Sequence, residues 1–218
     1  FAYLRRRIKY PRTTFVQGYF NVSLTPELLQ RYTFRPALLA DLDCDLHIST
    51  VQALSKGRFL VAELGPEPRA LVIDRNGDIL KSTPLQCQTS NFHMQTRMLR
   101  VLPNGNYIAP HLLDFAVKEY DPNSGKVLRT FPTDDRGREK RDWPFTAIRL
   151  KDGNTLIGCT NGNRIIEVDA DGKIVWKVSN EDIGEDLFDD ACGAQRLPNG
   201  NTVITSYHSG GDRVKLFE

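Results

Sequence analysis

Four histidines, a run of arginines and a few aromatic and acidic residues are the side chains of this chain most able to do chemistry. His47, His93, His111 and His208 can change charge near neutral pH, ligate a metal or move a proton. Arg97 and Arg100 follow His93 at four and seven residues. Guanidinium groups beside an imidazole favour carboxylate, sulfate or phosphate through forked hydrogen bonds. His93, Arg97 and Arg100 are therefore the candidate catalytic set. His47, His111, Trp143, Asp190, Tyr207 and His208 are the candidate ligand-binding set, with Arg141, Asp142 and Asp189 nearby. Cys44, Cys87, Cys159 and Cys192 show no zinc-finger or redox spacing, so free thiols are expected and no metal site is assigned.

What could hold such scattered residues together is a repeat. Leu54-Ser55-Lys56-Gly57-Arg58, Leu102-Pro103-Asn104-Gly105-Asn106, Leu150-Lys151-Asp152-Gly153-Asn154 and Leu197-Pro198-Asn199-Gly200-Asn201 are copies of one phrase, with glycines 48, 48 and 47 residues apart. A period of this size marks stacked or radial units that cannot bury their apolar faces alone. Asn-Gly and Asp-Gly suit hairpin turns, because glycine takes positive φ without steric cost and Asn or Asp tolerates it. A second turn follows each first one, at Asp74-Arg75-Asn76-Gly77, Asp121-Pro122-Asn123-Ser124-Gly125 and Asp169-Ala170-Asp171-Gly172. The runs between them, such as Arg164–Val168 and Lys173–Val178, are short and rich in β-formers. Two turns and four strands per unit make an all-β β-propeller of four-stranded blades.

In the third unit the inner strand A ends near Leu150. Strand B is expected at 155–158, C at 164–168 and D at 173–178. The connections from D to the next A, at 82–93, 131–144 and 179–191, have the polarity of surface loops. Blade geometry puts the glycine turns on one face. The B-to-C turns and the D-to-A connections, and with them all four histidines, fall on the other. Arg149 and Arg196 precede the turn leucines, and two roles are open to them: lining the channel, or pairing with acids of neighbouring blades.

Residues 46–218 hold three complete units and a fourth that stops in strand C, which reads as an incomplete ring or fragment. Residues 1–45 lack the two-turn pattern and read as a degenerate blade, a decoration or the tail of a preceding domain. This segment is basic, with Arg5, Arg6, Arg7, Lys9, Arg12, Arg31 and Arg35 against Glu27 in residues 1–36. A solvated face is the preferred reading, and nucleic acid is not expected as a partner. Net charge is +2 overall, and no apolar run is long enough to span a bilayer.

Leu-Pro-Asn-Gly-Asn and Asp169-Ala170-Asp171-Gly172-Lys173-Ile174-Val175-Trp176 resemble the repeats of bacterial pyrroloquinoline-quinone-like (quinoprotein-like) propellers. In these repeats the tryptophan docks adjacent blades together. Asp121–Arg129 resembles the same motif with Arg129 in place of Trp, and Asp74 matches more loosely. The resemblance implies a periplasmic or secreted setting. Quinone-dependent dehydrogenases also carry an adjacent cysteine pair, which this chain lacks, so no cofactor is assigned. His93 with its arginines loosely resembles the bacterial arylsulfotransferase-type propellers, which use a histidine nucleophile. The expected function is a module binding a small molecule, glycan or protein partner on the loop-rich face. The alternative is group transfer through His93 with arginine support.

Overall fold

The computed structural model describes residues 47–134, 142–183, 188–207 and 214–217. The segment 1–45, Cys44, Arg141 and His208 lie outside the described residues. Among the described residues, fifteen strands form four antiparallel sheets in chain order. The first holds β1 (His47–Ala53), β2 (Phe59–Leu64), β3 (Arg69–Ile73) and β4 (Ile79–Pro84). The second holds β5 (Arg100–Val101), β6 (Tyr107–His111), β7 (Ala116–Tyr120) and β8 (Val127–Pro132). The third holds β9 (Pro144–Arg149), β10 (Thr155–Cys159), β11 (Arg164–Val168) and β12 (Ile174–Ser179). In the fourth, β13 (Ala191–Arg196), β14 (Thr202–Ser206) and β15 (Val214–Phe217) pair in order. These are propeller blades, and among the described residues they form an open series.

Alternation of side chains explains the stacking. Ile157 and Leu156 are neighbours in β10 and point to opposite faces of the sheet. Ile157 joins Ile108, Val117 and Phe131 of the blade before. Leu156 joins Ala191, Ala194 and Ile204 of the blade after. Because both faces are covered, the middle strands β6, β7, β10 and β11 are buried along their whole length. The outer strands β4, β8 and β12 keep exposed residues. Each fully buried aliphatic side chain contributes roughly 1.5–3 kcal/mol, so the interfaces between sheets hold the molecule together.

The first turn of each unit is tighter in one respect than the sequence suggests. Gly105, Gly153 and Gly200 do take positive φ, at 88°, 94° and 93°. Asn104, Asp152 and Asn199 do not share that conformation. Their side-chain oxygens instead accept the N–H two residues on, from Asn106, Asn154 and Asn201, at 3.0, 3.0 and 3.1 Å. This is a side-chain-closed turn rather than a two-residue Asn-Gly hairpin. In the first copy Lys56 carries a positive φ of 58° beside Gly57.

The arginines before the turn leucines clasp adjoining blades. Arg149 of β9 donates to Glu119 of β7 at 2.8 Å, and Arg196 of β13 to Glu167 of β11 at 2.7 Å. Asn106 and Asn154, the last residues of the turn phrase, donate to the same two glutamates at 2.7 Å. Inter-blade pairing is thus the role these arginines take. Arg196 also lies 4.8 Å above the Trp176 ring, so that tryptophan, half-buried at the same interface, is held from the next blade.

Candidate functional site

Antiparallel order puts the ends of strands B and D on one side of the blades, where the long connections run. Those connections are less loop-like than their composition implies. Leu85, Gln95, Thr96, Leu99, Thr133, Asp142 and Phe188 are all buried within them. Gln95 holds the first of these down by bonding across to the turn after β2. Its amide donates to the Gly65 carbonyl at 2.8 Å and accepts the Gly65 N–H at 3.0 Å.

Arg97 occupies a special point in this wall. The inner strands β1, β9 and β13 each break register near their loop-rich ends, leaving Ser49, Phe145 and Cys192 out of the pairing. Each stands five residues before its turn leucine. The same count back from Leu102 reaches Arg97. In this blade the inner strand has shortened to β5, and Met98 takes a φ of 44°. Such bulges re-aim side chains, and Arg97 lies 6.0 Å over the Phe145 ring of the next blade. Its side chain donates to the Thr96 carbonyl at 2.8 Å, and the residue is 5% exposed. Burial pulls its proton affinity down to about 10.

Arg69, Arg149, Arg164 and Arg196 differ. Arg69 pairs with Glu63, Arg149 with Glu119, Arg164 with Asp142 at 2.9 Å and Arg196 with Glu167. Among the described residues no carboxylate pairs with Arg97 or Arg100. Arg100 is half-buried, burial lowers its pKa too, and its Nε is buried without a hydrogen-bond partner. His93 sits exposed on the 3-10 turn Phe92–Met94, in the connection that leads to Arg97.

The histidine at the centre of a network is His111, at the end of β6. It is fully buried. Its Nδ1 lies 3.2 Å from the Gln95 carbonyl and 3.1 Å from Cys87 Sγ, and its Nε2 lies 2.7 Å from the Tyr120 hydroxyl. A carbonyl can only accept, so the partners assign the proton to Nδ1. Nε2 then accepts from Tyr120, whose oxygen takes the Gln86 N–H at 3.2 Å. Both ring nitrogens are spent within the protein. Burial first, and then the Lys118 charge, push the His111 pKa down to about 4. Burial also pushes the Cys87 thiol up to about 12 and raises Tyr120. The trio is neutral at pH 7.

Two blades along, Asp190 precedes β13 with a φ of 57°. Its N–H donates to Asn163 Oδ1 at 2.8 Å, its carbonyl accepts the Tyr207 N–H at 3.1 Å, and Oδ1 accepts the Thr160 hydroxyl at 3.2 Å. Trp143 is half-buried beside the same turn, its carbonyl accepting the Thr160 N–H at 2.9 Å. Tyr207 ends this cluster 45% exposed. His47 opens β1 at the loop-rich end, opposite Leu64. Sequence reasoning did not single out Gln95, Cys87 or Tyr120 as partners. Nothing in their spacing marks them, because they meet only when a connection folds back on the next blade.

No protein-family model matches the chain, and no curated protein matches it in sequence. Solved structures do. A protein of unknown function from Bacteroides caccae aligns at 21% identity with a TM-score of 0.66, over 80% of this chain and 64% of that one. A catalytically inactive virginiamycin B lyase from Staphylococcus aureus, with quinupristin, aligns at 11% identity and a TM-score of 0.54, over 78% of this chain and 55% of the lyase. A luciferin-regenerating enzyme aligns at 12% and 0.51, over 74% of this chain and 54% of that one. The chain thus spans less than two thirds of each neighbour's length. At these identities the likeness is one of fold, and the fold it shows is the propeller.

Proposed function

We propose that the loop-rich end of this propeller module binds a ligand, whether small molecule, glycan or protein segment, that presents an acidic group to Arg97. The observation that carries the reading is the Arg97 guanidinium, 5% exposed and with no carboxylate partner among the described residues. A desolvated cation is costly unless paired, and a ligand anion would supply the missing charge. Exposed His93 and Tyr207 and half-buried Trp143 and Asp190 supply the rim. The quinoprotein-like grouping and its extracytoplasmic bacterial setting belong to the same proposal, supported by the docking of Trp176 under Arg196.

The test is a thermal-shift series with glucuronate, glucose 6-sulfate and glucose. The two acids are expected to raise the midpoint and glucose to leave it in place. Arg97→Gln, checked for an unchanged circular dichroism spectrum, should erase the difference. Equal shifts for all three sugars would overturn the reading. Group transfer through His93 is a second reading, supported by the exposure of that imidazole in the connection that carries Arg97. It requires turnover of an aryl sulfate, which binding alone does not.

A further inference from the structure

β5 is the inner strand of the second blade and lines the central channel, and its register fixes where its side chains point. Arg100 pairs with Ile108, and Val101 with Tyr107. Ile108 belongs to the core shared with the third blade, Tyr107 to the core shared with the first. Residues directly opposite on paired strands share a face, so Arg100 points towards the third blade. Leu99 and Val101 take the other face and pack in the first core. In an unbroken strand Arg97, three residues before Arg100, would point away from it. The positive φ of Met98, 44°, breaks that alternation. The Arg97 guanidinium accordingly lies 6.0 Å over the Phe145 ring of the third blade. Both arginines of this short stretch face the same neighbour.

The seam between the two blades does not match these charges. Arg149 is paired with Glu119 at 2.8 Å, and Arg164 with Asp142 at 2.9 Å. Glu119 is further occupied by Asn106, which donates to it at 2.7 Å. The Arg97 guanidinium donates to a neutral group, the Thr96 carbonyl, at 2.8 Å. The Nε of Arg100 is buried without a partner. Neither residue pairs with a carboxylate among the described residues. A cation withdrawn from water is unfavourable unless paired, and two on one strand also repel each other. Three residues of strand span roughly 10 Å, a distance that two acidic groups joined by a linker can match.

We infer that the ligand at Arg97 is an extended dianion, its second oxyanion group held by Arg100 and its linker lying along β5 in the channel. This rests on the reading that an acidic group meets Arg97, and adds a second charge and its spacing.

Isothermal titration of the chain with suberate, hexane-1,6-diol bisphosphate, succinate, octanoate and neutral 1,8-octanediol tests the assignment. The first two separate carboxylate from phosphate ends at a similar span. At least one of them should bind tenfold or more tightly than octanoate and than succinate. Arg100→Met should remove that advantage and leave octanoate within about twofold, Arg97→Gln should weaken the dianion and octanoate alike, and Arg129→Gln, on an outer strand, should change neither. Octanoate or succinate binding as tightly as the long dianions, or an advantage retained in Arg100→Met, would overturn the dianion and leave the acidic contact at Arg97 standing. No anion binding better than octanediol would overturn that contact and the dianion with it. Without ligand, Arg100→Met should melt no lower than the wild-type chain, because it removes an unpaired, half-buried cation. A variant that fails to fold would show Arg100 to be a structural part of the seam and would equally overturn the proposal.

Discussion

His111 was legible as an imidazole at the loop-rich end, but not as one committed to Gln95, Cys87 and Tyr120. Residue type and position along a strand give the first. The second depends on where an adjoining connection folds. The burial of His111 has a measurable consequence. Its folded-state pKa is lowered, from 6.5 to about 4, so between these values the unfolded chain binds the proton that the folded chain refuses. Stability contributed by the neutral imidazole is therefore complete above pH 6.5 and is lost as pH falls towards 4. The loss should be on the order of 2–3 kcal/mol across that window. Urea midpoints measured from pH 7.5 to 4.5 should fall steeply in the wild-type chain and less steeply in His111→Gln. That variant should also be about 1–3 kcal/mol less stable at pH 7.5, where Tyr120 and the Gln95 carbonyl lose their partner. Parallel pH profiles for the two chains would show that another group carries the dependence.

Turns and strands were the most legible elements. The expected third blade, with strand A ending near Leu150 and the others at 155–158, 164–168 and 173–178, agrees closely with β9 to β12. Glycine punctuation and β-branched runs are local signals, so no knowledge of the neighbouring blade was needed. The inner-strand bulges at Ser49, Phe145 and Cys192 were not legible, because a register break is a relation between two strands. The turns also separate two ways of paying for a substitution. A Cβ at Gly153 would meet nothing within 4 Å, so its cost comes from the φ of 94° alone. Gly153→Val is expected to cost about 1–3 kcal/mol. A Cβ at Gly125, with φ 69°, would in addition come within 2.6 Å of Pro84 Cγ and 3.0 Å of the Pro84 carbonyl oxygen. Gly125→Val should therefore be the more destabilising of the two in denaturant melts. The reverse order would mean that Pro84 yields freely.

At the scale of the whole molecule, stability should behave as a sum over neighbouring blades, since each sheet packs on the next and the clasps join one blade to one other. The sequence left Arg149 and Arg196 open between channel and clasp, because the acids they meet lie 30 and 29 residues away on other strands. The two clasps are built alike but differ in burial. Glu119 and Arg149 keep 4% and 16% of their side-chain surface, while Glu167 and Arg196 keep 10% and 26%. Removing one member of a buried pair leaves the other charge uncompensated, at a cost of about 3 kcal/mol or more, and the cost falls as water reaches the pair. Glu119→Ala should thus lower stability more than Glu167→Ala. The clasps share no partner, so the double variant should equal the sum of the singles within about 0.5 kcal/mol. A deficit in the double variant beyond that margin would show coupling through the third blade, which carries Arg149 on its inner strand and Glu167 on β11. In that case the blades would unfold as one unit, and their stability could not be divided into interfaces.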